Sequence, residues 1–168
     1  MTQAATVSTA VALIKKNALV RLKEFRFAYL HLKGGAAGAP PQAGVGTAGG
    51  RDVPGGSCGA AEIFSHPLAL HRLAEFLIDM HRENGRSLPL VLAPERAGTG
   101  TYLVAGYNFP ERHGDVARNW FGANFDLAAR SLKGKFVLDR GFDGSVAEVD
   151  ADMVQQFIEQ HHYLMDTN

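Results

Sequence analysis

A single cysteine, Cys58, is all the chain possesses, so no disulfide can form within it and the fold must rest on burial and hydrogen bonding. The 168 residues hold no apolar run approaching the ~18 that a membrane-spanning helix needs. No basic stretch leads into an apolar one at the N-terminus, so a secretory signal is not expected. Together these absences fit a reducing compartment, and the expectation is a cytoplasmic protein with no membrane partner. Net charge is also lacking: 17 Lys and Arg face 17 Asp and Glu. The chain-wide basicity typical of nucleic-acid binders is therefore missing.

What is present suits one globular domain: 46% of residues are hydrophobic and 20% charged. The charge is unevenly placed. Residues 1–33 carry Lys15, Lys16, Arg21, Lys23, Arg26 and Lys33 against Glu24 alone, whereas residues 62–168 hold 10 basic and 15 acidic groups. Either a basic arm reaches for a polyanion, or the two parts attract one another within one fold. Between them lies Gly34–Ala61, where 20 of 28 residues are Gly, Ala or Pro. Such a stretch has few side chains to bury and a high entropy cost of ordering, so it is expected to be a mobile insertion.

Val7, Val11, Ile14, Ala18 and Leu22 recur at helical spacing and predict an amphipathic helix over 7–22. The alternation of Phe25, Phe27, Tyr29 and His31 then predicts a strand ending at Gly34. A second helix is expected after Ser65 and Pro67, with Leu70, Leu73, Leu77 and Met80 on its buried side. Strands follow at 88–93 and 101–109, then a helix from Asp115 to Leu132 and a strand at 135–139. A last helix, capped by Asp150, carries Val154, Phe157, Ile158, His161 and Met165 on one face. The order β-α-β-β-α-β with a helix at each end predicts an α+β, ferredoxin-like antiparallel sheet. In that arrangement the first strand lies in the middle, beside the third. Residues 1–168 then form a single domain, with the Gly/Ala/Pro-rich insertion 34–61 between the first strand and its crossover helix.

Several patterns carry possible chemistry. Gly44, Gly46 and Gly49 spell GxGxxG, and Gly55, Ser57 and Gly59 spell GxSxG, but neither has the preceding strand its chemistry requires. His71, Glu75, Asp79 and Glu83, spaced by four, read as a solvated helix face with Arg72 and Arg82 beside it. The segment 139–150 places Asp139, Asp143, Ser145 and Asp150 at ligand positions of a twelve-residue loop, with Gly144 at its turn. This spacing resembles the calcium loop of EF-hand proteins, and the resemblance implies a calcium site. Gly141 replaces one ligand, however, and Asp150 stands where a bidentate Glu is usual. A Gly-Asp turn into a capped helix explains the same residues, so no cofactor is expected and calcium is the alternative.

His113, beside Glu111 and Asp115 in a loop between a strand and a helix, is the candidate for acid–base chemistry in a small enzyme. Phe27, Tyr29 and Tyr107 on the inferred central strands, with Arg21, Lys23 and Arg26 nearby, form the candidate surface for single-stranded RNA or DNA. An open sheet face or edge also suits a protein partner or a second copy. The expectation is therefore a non-catalytic interaction or accessory domain, self-associating as a homodimer, with nucleic-acid binding and a small enzyme as alternatives.

Overall fold

A computed structural model describes residues 2–15, 18–30, 63–64, 66–81, 88–96, 98–108, 114, 120–132, 134, 136–138 and 145–167. The glycine motifs, Cys58 and the tract 34–61 lie outside the described residues. Helix α1 (Thr2–Lys15) leads into a two-residue strand β1 (Val20–Arg21), which pairs antiparallel with β2 (Arg26–Leu30). Helix α2 (Pro67–Met80) precedes the hairpin of β3 (Leu90–Pro94) and β4 (Thr101–Tyr107). Helix α3 (Phe121–Ser131), strands β5 (Phe136–Leu138) and β6 (Val146–Asp150), and helix α4 (Val154–Thr167) complete the chain.

The strands form one sheet in the order β1-β2-β3-β4-β6-β5. Mixed α and β structure is as expected, but the ferredoxin-like order is not. Strand β2 runs parallel to β3, with Phe27 opposite Val91, and does not border β4. The reason lies in β6, which the sequence reading placed inside a calcium loop. It pairs antiparallel with β4, Tyr102 opposite Val149, and occupies the position a ferredoxin-like order would give the first strand. Residues on both sides of the Gly/Ala/Pro tract thus share one sheet.

Alternation along the strands sends side chains to two separate cores. On one face Ala28, Leu30, Leu90, Leu92 and Ala105 meet Leu70, Leu73, Leu77 and Ile78 of α2, with α1 packed beside α2. On the other, Tyr29, Val91, Ala93, Tyr102 and Val104 meet Phe121 and Phe125 of α3 and Phe157 and Ile158 of α4. A sheet covered on both faces explains why every residue of β3 is buried. Each fully buried leucine of α2 contributes about 1.5–3 kcal/mol relative to exposure.

Helix α2 starts at Pro67, whose missing N–H costs nothing at a first-turn position. At its other end the guanidinium of Arg26 donates to the His81 carbonyl at 3.1 Å. A cation there complements the helix dipole and fixes α2 to the start of β2. The β3–β4 hairpin turns through Gly98 and Gly100, at φ 75° and 66°, conformations that disfavour any side chain. Helix α1 corrects the sequence reading: it ends at Lys15, and its buried side is Thr6, Ala10 and Leu13, while Val7 and Val11 face outward. Among the described residues no helix is long and apolar enough to cross a membrane.

Candidate interaction groove

The first turn of the antiparallel β1–β2 pair is closed by the Leu22 N–H donating to the Phe25 carbonyl at 2.9 Å. This sends Phe25 into the core and sets Leu22 and Phe27 at the rim of the sheet, where α4 crosses. Gln155, Ile158, Glu159 and His162 recur on α4 at the spacing of one helical face. That face, with Leu22, Phe27 and Tyr29, lines a groove of about 230 Å³. The ring of Tyr29 stands edge-on to Phe27, with centroids 5.4 Å apart and planes at 89°. Just beyond, Lys23 bonds Asp166 near the end of α4 and lies 3.5 Å from Glu24. The contact with Asp166 raises the Lys23 pKa and lowers that of Asp166. Both groups are exposed, so this clasp adds little to stability.

Behind the groove His161 is wholly buried, its ring centroid 5.1 Å from Phe25, 5.3 Å from Phe121 and 5.0 Å from Phe125. Neither of its ring nitrogens has a hydrogen-bond partner among the described residues. Burial first, and then His162, push its pKa down to about 4. Burial first, and then Glu159, push the Tyr29 phenol up to about 12. Tyr102, 5.9 Å from Tyr29, is likewise raised to about 12, by burial, Glu95 and Tyr29. His161 and the two phenols are therefore neutral near pH 7 and none is poised to exchange a proton there. The groove offers shape, an apolar floor and one carboxylate, which serve recognition.

A second polar cluster sits on the opposite face of the sheet. Arg96 donates to Glu148 Oε2 at 2.6 Å, Thr101 donates to Glu148 Oε1 at 2.8 Å, and the Thr99 and Thr101 hydroxyls are 2.7 Å apart. It pins the β3–β4 turn to β6. Among the described residues no group of three or more His, Cys, Asp or Glu is placed to hold a metal.

The structure gathers some of the residues singled out from sequence and separates others. Phe27 and Tyr29 line the groove, Lys23 flanks it, and Arg21 is exposed on β1. Arg26 is buried beneath α2, and Tyr107 lies on the opposite face against His71, 5.4 Å between rings. With Tyr29 1% and Tyr107 5% exposed on opposite faces, no one stacking platform includes both. His113, Glu111 and Asp115 lie outside the described residues, as do Asp139 and Asp143. The Ser145 carbonyl, a ligand in the calcium reading, accepts the Gly106 N–H at 2.9 Å. Asp150 caps no helix: it ends β6 opposite Thr101, and α4 begins at Val154. Gln155, Glu159 and His162 were missed as site residues. Their signal was a polar row beside the apolar stripe of α4, visible only as a solvated face without its partner strand.

Residues 1–163 match the CDC45 family. The cell division control protein 45 homolog of Dictyostelium discoideum is 30% identical over 105 residues, covering 62% of this chain and 16% of that protein. The human homolog is 33% identical over 103 residues, covering 58% of this chain and 18% of that protein. The matched part of the chain thus covers less than a fifth of the length of each of these relatives. In fold it is similar to the crystal structure of CDC45 from Entamoeba histolytica, with a TM-score of 0.63 at 21% identity, over 98% of this chain and 28% of that one. With a match running through α1, the whole sheet and most of α4, the chain belongs to the CDC45 family.

Proposed function

We propose that this chain is a non-catalytic accessory module in the initiation of DNA replication, acting by holding a protein partner within a larger assembly at DNA. The observation that carries this reading is the family match over residues 1–163. The groove beside α4 supports the accessory part of it, because its buried His161 and Tyr29 stay neutral near pH 7 and its floor is apolar. Such a module works where DNA is replicated, which replaces the cytoplasmic expectation with a chromosomal one.

Its partner is a different protein in this proposal. Among the described residues both edge strands are short, two residues in β1 and three in β5, and edge strands of that length blunt strand pairing between copies. The homodimer expectation is decided by sedimentation of the purified chain, for which a monomer is expected. The reading itself is tested by immunoprecipitating the tagged protein from synchronised cells and sequencing the DNA recovered. Replication origins should be enriched as DNA synthesis begins. Equal recovery of all loci throughout the cycle would remove the proposal.

A further inference from the structure

We infer that the groove beside α4 receives an arginine side chain projecting from a partner protein. This deepens the proposed accessory role and rests on it. The size is the first argument. At about 230 Å³ the groove falls below the roughly 300–1,000 Å³ of sites for drug-sized ligands, and suits one long side chain. The lining is the second. Leu22, Ile158 and Phe27 offer apolar surface for an aliphatic stem, and arginine buries such a stem while keeping its charged head near water. The half-buried Phe27 ring, packed perpendicular to Tyr29, adds aromatic surface to the lining, and a planar cation is attracted to such surface.

Charge is the third argument. Glu159 is exposed at the rim, its Oε1 held by the Gln155 amide at 3.0 Å. Among the described residues it has no ion-pair partner, and Lys23 at the edge of the groove pairs with Asp166 and Glu24. The Gln155 bond orients the carboxylate and leaves Oε2 to accept from an incoming donor. A guanidinium answers this arrangement better than an ammonium, because it is planar, stacks on a ring and directs paired N–H groups at a carboxylate.

The test is a ¹H–¹⁵N NMR titration of the whole chain with Nα-acetyl-arginine amide, and with its neutral isostere Nα-acetyl-citrulline amide. The arginine probe should shift the amides of Phe27, Tyr29, Glu159 and His162, saturating in the ~10 mM range expected of a single side chain. Citrulline amide should bind at least roughly fivefold more weakly, and Glu159→Gln should weaken the arginine probe by a similar factor. The surface position of Glu159 lets the variant fold, which its unchanged melting temperature would verify. Equal responses to the two probes, or arginine shifts elsewhere in the chain, would overturn the inference. The probe is a small amide needing no replication partner, so its failure would leave the origin-enrichment test of the accessory role standing.

Discussion

Gly106, next to the last residue of β4, lies directly beneath the ring of Phe121. A β-carbon at 106 would stand 2.3 Å from both Cγ and Cδ1 of that ring. Phe121 cannot swing away, because it is 1% exposed and held between Phe125 and His161, at centroid distances of 5.8 and 5.3 Å. The absent side chain at 106 is what lets α3 seat its first turn on the sheet.

Gly106→Ala should therefore destabilise the fold by about 1–3 kcal/mol, the usual cost of overpacking a close-packed core. Chemical denaturation checks this. Paired with Phe121→Leu, the loss should be smaller than the sum of the two single losses, since the smaller side chain removes the clash.

Acid should weaken the protein through His161. Its pKa is about 4 in the fold and near 6.5 in the unfolded chain, so below pH 6.5 the unfolded chain takes up a proton that the fold refuses. The stabilising preference is full above pH ~6.5 and shrinks as pH falls toward the folded value. The loss amounts to roughly 2 kcal/mol by about pH 5 and roughly 3 near pH 4, taking 1.36 kcal/mol per unit. The Lys23 contact holds the Asp166 carboxyl below its usual range, so its contribution is lost at more acid pH than that of His161. In urea unfolding at a series of pH values, His161→Phe should flatten the slope between pH ~4 and ~6.5. An unchanged slope would mean that His161 is not the group responsible.

Glu148 joins Arg96 and Thr101 in a half-buried network, with side-chain exposures of 37% for Arg96 and 26% for Glu148. Charge-assisted hydrogen bonds reach about 1.5–3 kcal/mol, but partial exposure screens this pair, so Glu148→Gln should cost roughly 1 kcal/mol. Hydrogen exchange should show the loss locally, at the amides of Arg96, Thr101 and Glu148. Uniform loosening of the whole sheet would contradict a local role.

Much of this fold is legible where local pattern and tertiary burial agree. Leu70, Leu73 and Leu77 mark α2, the apolar run at 90–93 marks β3, and Val154, Phe157, Ile158 and His161 mark the inner face of α4. Strand β6 is hidden because Val146–Asp150 carries Glu148 at its centre and follows a run of turn-forming residues. Its strand character comes from pairing with β4, a long-range contact no local window contains. Helix α1 misleads for another reason: it packs on α2, where Ala10 permits close approach, so the valines lie outside. Half of the groove was readable as aromatics on a strand. Glu159 and His162 acquire meaning only once the strand order brings α4 over Phe27 and Tyr29.

The most direct test of the proposed replication role is conditional depletion of the protein, with DNA synthesis measured by nucleoside-analogue incorporation in synchronised cells. Depleted cells should stop before DNA synthesis begins. Wild-type protein should restore incorporation, and Glu159→Lys, which reverses the charge at the groove, should restore it only in part. Normal incorporation after complete depletion would show that the chain has no part in initiating replication.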